Sequence, residues 1–124
     1  MPIKSFRDLK VYTMAYQSSL EVHRSICENL PSSEKYDLRD QLSRSSKAVP
    51  RLIAEGYAKR HQKLGFQKYI DDALAESNET IVSLEHSRDL YSKLINNKIV
   101  TKLVDDYDQI SKILYTLRKV WKNF

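Results

Sequence analysis

Turn-forming residues are scarce: two glycines and three prolines in 124 residues. That is too little punctuation for the many short strands of a sandwich or barrel, and it excludes an all-β fold. Two glycines also cannot build a Walker-type or Rossmann phosphate loop, and no nucleophile elbow occurs. No run of apolar residues exceeds three, which leaves neither a membrane span nor the apolar stretch of a secretory signal and reads as a soluble, cytoplasmic protein. Cys27 is the single cysteine. An internal disulfide framework and a Cys-based zinc site are excluded, and Cys27 reads as a small buried apolar residue rather than a reactive thiol.

What is present suits long amphipathic helices. The chain is 41% hydrophobic and 30% charged, enough to bury one ordinary core, and is expected to form a single domain over residues 1–124. Ser5-Phe6-Arg7-Asp8 has the form of a capping box and opens the first segment. Leu9, Tyr12, Tyr16, Leu20, His23 and Cys27 then recur at helical spacing, with Val11, Ala15, Val22 and Ile26 on an adjoining stripe. The two together cover about half the circumference, a width that predicts a second buried side through self-association.

Leu30-Pro31-Ser32-Ser33 ends this helix, and its serines are expected to cap the next, from about Glu34 to Arg60. The stripe Leu38, Leu42, Val49, Leu52, Ile53 and Gly56 keeps its phase across Pro50, so the second helix is read as continuing through a kink, with Ser43, Ser45 and Ser46 available to the carbonyl the proline frees. After a polar connection at 61–65, Phe66, Ile70, Ala73, Ser77, Ile81, Leu84, Tyr91 and Ile95 mark a third helix. Asn96-Asn97 supplies a break and cap, and Ile99, Leu103, Ile110, Leu114, Leu117 and Trp121 mark a fourth. Short connections force antiparallel neighbours. The expected fold is all-α, an antiparallel up-down-up-down four-helix bundle with a Pro-kinked second helix.

Catalytic constellations are missing. No Glu lies three residues before His23, His61 or His86, which removes the Glu-x-x-His pairs of a di-iron bundle. No Arg stands at the spacing of the Arg-x4-to-6-His motif of small helical RNases. His23 reads as a hydrogen-bonded core or interface residue. The acids Asp71, Asp72, Glu76 and Glu79, and Asp105, Asp106 and Asp108, read as solvated helix faces rather than Mg²⁺ sites. No enzyme, metal, cofactor or small-molecule substrate is expected.

Charge carries the functional signal. The formal net charge is +5, with a pI near 9.3, and residues 1–30, 31–65, 66–95 and 96–124 sum to +1, +4, −3 and +3. Between Arg39 and Lys63 lie seven cations, Arg39, Arg44, Lys47, Arg51, Lys59, Arg60 and Lys63, against Asp40 and Glu55 only. On a helix Arg44, Lys47 and Arg51 fall within about 60° of one another and about 5 to 6 Å apart in succession, close to the phosphate spacing of a nucleic-acid strand. An equally weighted reading is an ordinary solvated face whose ends pair with Asp40 and Glu55. Lys112, Arg118, Lys119 and Lys122 form a second cluster around Tyr115. Tyr115, and Tyr57 beside Lys59 and Arg60, could each stack on a base or pack against another subunit.

Phe6-x-Asp8-Leu9-x-Val11-Tyr12-x-x-Ala15, Leu38-Arg39-Asp40-Gln41-Leu42-x-Arg44 and Val49-Pro50-x-x-Ile53-Ala54-Glu55-Gly56, in that order, resemble the four-helix bundle proteins encoded within intervening sequences of bacterial 23S ribosomal RNA genes. Phe66-x-x-Tyr69-Ile70, Ala73 and Glu79 extend the resemblance, which spans about residues 6–95. Ala48 and Leu52 stand where the family pattern has Ser and Asn. Relatives include the accessory variability protein of diversity-generating retroelements, a basic pentameric bundle that binds nucleic acid. The resemblance implies a bacterial homopentamer of antiparallel bundles without catalysis, in which Glu55 and Glu79 are structural acids.

The expected function is therefore non-enzymatic binding of RNA or DNA by an oligomer. Arg44, Lys47 and Arg51 are central, supported by Arg39, Lys59, Arg60 and Lys63. The alternative is a protein-interaction scaffold that docks an acidic partner such as a reverse transcriptase.

Overall fold

The computed structural model describes residues 3–120, all helical or connecting, with no strand among them. A short 3₁₀ turn, Phe6–Asp8, precedes four helices: α1 Lys10–Glu21, α2 Leu38–Ala58, α3 Lys63–Leu90 and α4 Asn97–Lys119. α1 runs on through a π-helical turn, Val22–Ile26, and a 3₁₀ turn, Cys27–Asn29, and a further 3₁₀ turn, Ser32–Glu34, leads to α2. Trp121 and Lys122, placed by sequence on the fourth helix and its basic end, lie outside the described residues.

Cross-helix contacts fix the direction of each neighbour. Between α1 and α2, His23 Nε2 meets Ser43 Oγ at 3.0 Å and the Cys27 thiol lies 3.9 Å from the Arg39 carbonyl. Between α2 and α3, the Thr80 hydroxyl meets that of Ser45 at 2.8 Å, and the Tyr91 hydroxyl donates to Glu34. Between α3 and α4, Ser77 donates to the Tyr107 carbonyl at 3.2 Å, while Gln67 reaches the Arg118 carbonyl at 3.3 Å. In each pair a later residue on one helix meets an earlier one on the next, so successive helices are antiparallel.

The capping box forms as read: Arg7 N–H donates to Ser5 Oγ, and Ser5 N–H to Asp8. It caps only the 3₁₀ turn, because Leu9 adopts an extended conformation and α1 starts after it. Ser32 and Ser33 cap nothing; Glu34 does that work. Its carboxylate accepts from the Leu38 N–H at 3.1 Å and from Tyr91, two bonds that hold its pKa below the usual carboxylate value. Consequently α2 begins at Leu38 rather than Glu34, and it ends at Ala58 rather than Arg60. It continues without a break through Pro50, as the phase of its stripe predicts. Of the nearby serines, Ser43 meets His23, Ser45 meets Thr80, and Ser46 turns back to the Ser43 carbonyl at 3.5 Å. Asn96 caps α4 by accepting from Lys98 and Ile99 N–H groups.

The core is built from Leu38, Leu42, Val49 and Ile53 of α2, Phe66, Ile70 and Leu84 of α3, Leu103, Tyr107, Ile110 and Leu114 of α4, and Val11, Ala15, Val22 and Ile26 on the first rod. Of the two stripes predicted for that rod, the adjoining one faces the core, whereas Tyr12, Leu20 and His23 are half-buried and Tyr16 is exposed. Small buried hydroxyl residues lie along α2 and α3, with Thr80 meeting Ser45 between them. Their hydroxyls are satisfied by carbonyls one turn back, as Ser87 donates to Ser83 and Thr80 to Glu76, and their small size lets the rods approach closely. No described helix is long and apolar enough to cross a membrane.

Candidate nucleic-acid interface

All seven cations proposed from the sequence are exposed, but they do not behave as one stripe. Arg44 Nη1 lies 3.7 Å from Asp40 Oδ2, and Arg51 Nη1 lies 3.3 Å from Glu55 Oε1. Both pairs follow from the four-residue spacing on α2. The helix also turns these arginines toward α3, where Asp40, Arg44, Ser45, Glu76 and Glu79 line a groove of about 320 Å³. Burial pushes the Glu76 carboxyl up to about 7, helped by its hydrogen bond to Glu79 and by that residue's charge, while Arg51 and Arg44 pull it back. The two arginines therefore stand among four carboxylates.

Lys47 and Arg39 face the other way, toward the first rod. Burial drives the Cys27 thiol up to about 11, and the charges of Arg39 and then Lys47 oppose that rise. Cys27 is buried and protonated, as expected of a small core residue. Neither Arg39 nor Lys47 forms an ion pair among the described residues. His23 holds this seam together: its Nδ1 faces the Ser19 carbonyl at 2.9 Å. A carbonyl only accepts, so Nδ1 carries a hydrogen and donates to it, while Nε2 bonds the Ser43 hydroxyl.

The connection after α2 carries Lys59, Arg60 and Lys63, again without an ion pair among the described residues. The Arg60 guanidinium lies 4.1 Å from the centre of the Tyr57 ring and donates to the Tyr57 carbonyl at 3.0 Å. The register that sets His23 beside Ser43 brings the 3₁₀ turn Phe6–Asp8 level with this end of α2, and that turn touches α2. Arg7 thereby joins the basic end, its guanidinium 4.6 Å from the Phe6 ring centre. Lys119 reaches the same end from α4. The sequence reading missed Arg7 because only the antiparallel topology brings it there.

The remaining candidates are occupied. Tyr57 is buried and does not present its ring to a base. Tyr115 is exposed, but Lys119 Nζ sits 4.2 Å from its ring centre. Within the second basic cluster Arg118 pairs with Asp71 at 2.7 Å, leaving Lys112 exposed. Asp72 pairs with Lys68 at 3.0 Å and Asp106 with Lys102 at 3.1 Å. No group of three or more His, Cys, Asp or Glu residues that could hold a metal ion occurs among the described residues.

The model of the family described as 23S rRNA-intervening sequence protein matches residues 7–116. The chain belongs to the 23S rRNA-intervening sequence protein family. The fold has a counterpart in the crystal structure of a protein of unknown function from the S23 ribosomal protein family of Bacteroides thetaiotaomicron VPI-5482. The two superpose with a TM-score of 0.76 at 21% identity, over 89% of this chain and 96% of that one. No curated protein matches. In this intervening-sequence protein Gly56, at the end of the Ile53-Ala54-Glu55-Gly56 stretch, lies in close contact with α3. A Cβ added at Gly56 would stand 3.1 Å from Tyr69 Cβ and 3.2 Å from Ile70 Cδ1. Glu55 follows as the partner of Arg51.

Proposed function

We propose that this intervening-sequence protein is a non-enzymatic, homo-oligomeric bundle that binds nucleic acid by its phosphate backbone. The supporting observation is the charge arrangement. Arg39, Lys47, Lys59, Arg60 and Lys63 are exposed and free of ion pairs with carboxylates among the described residues, while the acids gather beside α3. The polyanion lies along the α2–α3 end and the α1 side of α2, away from Glu76 and Glu79. Arg44 and Arg51 act in reserve, because exposed pairs such as Arg44–Asp40, with the arginine side chain 81% exposed, contribute little and a phosphate can displace the carboxylate.

The family description makes an RNA the first probe to try. Repetition in a ring, as the pentameric relatives imply, multiplies weak patches by avidity. An apolar groove on α4 lined by Ile113, Leu117 and Val120 offers a surface for that self-association. The test is a gel-shift titration of two triple variants that leave the core untouched. Lys59, Arg60 and Lys63 replaced together by Ala should weaken RNA binding most, flattening the dependence of log affinity on log salt by about 2 for a single strand. Arg44, Lys47 and Arg51 replaced by Ala should weaken it less. Unchanged affinity in both variants would overturn the proposal.

A further inference from the structure

The first rod carries an aromatic ladder that starts on Phe6 and Tyr12, packed against the edge of the core, and runs out to the exposed Tyr16. The Phe6 and Tyr12 rings meet edge to face with centres 4.8 Å apart, and Tyr12 and Tyr16 are stacked at 6.0 Å with 29° between their planes. Tyr16 is 46% exposed. Extending the α1–α2 register from His23–Ser43 and Cys27–Arg39 sets Tyr16 opposite Pro50 and places Lys47 and Arg39 further along the same seam. Both cations are exposed, and the Arg39 carbonyl is the group that the Cys27 thiol meets across the seam. Of the nearby acids, Asp8 is in the capping box, Glu21 accepts from Ser25 at 2.5 Å and Asp40 pairs with Arg44, while the charge of Glu28 also acts on Cys27. The result is a lane with stacked, partly open rings at one end and, further along, two cations without an ion pair among the described residues.

We infer that the α1–α2 seam is the track for a single strand of nucleic acid, with a base stacked on Tyr16 and the adjoining phosphates on Lys47 and Arg39. The inference rests on the nucleic-acid reading above and adds the class of ligand. Bases paired inside a duplex have no free face to offer a side chain, whereas splayed bases of a single strand stack on exposed rings without regard to sequence. A second copy of the chain covering the same face is the competing occupant. Charge argues against it, because the seam would bring Lys47 and Arg39 of each copy, neither in an ion pair among the described residues, close together.

The test compares a single-stranded oligouridylate, an abasic oligomer of equal length and a duplex of that length, with wild-type protein and with Tyr16→Leu, which keeps an apolar side chain. Stacking of one base is worth about 1 to 3 kcal/mol, a loss of at least fivefold. The variant should therefore bind oligouridylate at least fivefold more weakly while its salt slope and duplex affinity stay unchanged. Wild-type protein should bind the abasic oligomer as weakly as the variant binds oligouridylate. Equal single-strand affinity of variant and wild type overturns the seam assignment while leaving phosphate binding intact. Loss of oligomer mass in Tyr16→Leu without loss of single-strand affinity overturns it in favour of a subunit contact. Absence of wild-type binding to every probe defeats the underlying proposal as well.

Discussion

Gly56→Ala tests the packing that holds α2, and with it the cations, at its distance from α3. The added methyl would meet Tyr69 Cβ at 3.1 Å and Ile70 Cδ1 at 3.2 Å. The isoleucine tip can swing aside, but Tyr69 Cβ is fixed to the α3 backbone, so the rods must separate by a few tenths of an ångström. Overpacking of this kind costs about 1 to 3 kcal/mol. Against it stands the helix preference of Ala over Gly, which returns about 1 kcal/mol, since Gly56 lies inside α2. The net expectation is a loss of about 1 kcal/mol, or about 4 °C in melting temperature for a chain of this size. Urea unfolding followed by circular dichroism measures it, with Gly56→Val as a larger step in the same direction. Gly56→Ala protein as stable as wild type, or more stable, would refute the close-approach argument.

Two further substitutions probe buried polar groups. Tyr107 is fully buried and its hydroxyl has no hydrogen-bond partner, so Tyr107→Phe should leave thermal stability unchanged or raise it by about 1 kcal/mol, and a clear loss would contradict that environment. Glu76 has its folded-state pKa raised from 4.5 to about 7. Its contribution to stability is full below pH 4.5 and is lost as pH rises through 7. Glu76→Gln should abolish that decline and leave the variant about 1 kcal/mol more stable than wild type at pH 8, after allowance for solvent screening. Parallel stability curves for the two proteins between pH 5 and 8 would contradict it.

Much of the fold is legible in the sequence where local chemistry acts alone. Asn96 caps α4 through its own side chain, and the stripe through Leu42, Val49 and Ile53 keeps phase across Pro50 because the helix does not break there. The first rod is read less well. Its π-helical turn at Val22–Ile26 winds more residues into one turn, so the buried Cys27 shifts out of the straight 3.6-residue line it would share with Tyr12, Tyr16 and Leu20. The start of α2 is misplaced because Glu34, itself steadied by Tyr91 from the far end of α3, does the capping expected of Ser32 and Ser33. Buried Ser77, Thr80 and Ser87 escape a polar-outward pattern because their hydroxyls bond within the bundle.

The interface divides in the same manner. The pairs Arg44–Asp40 and Arg51–Glu55 are readable from four-residue spacing. The approach of Glu76 and Glu79 to Arg44, and the arrival of Arg7 beside the α2–α3 connection, depend on tertiary register that no local pattern reveals. The basic stretch of the sequence thus separates into arginines held among acids and a larger set open to a partner.

The most direct measurement is the affinity of the wild-type protein for a labelled single-stranded RNA across a salt series, with the RNA recovered afterwards and checked for length. Contact of at least three phosphates by unpaired cations predicts log affinity falling linearly with log salt at a slope of about −2 or steeper, and RNA recovered intact. Affinity indifferent to salt, or RNA cleaved by the purified protein, would contradict the account.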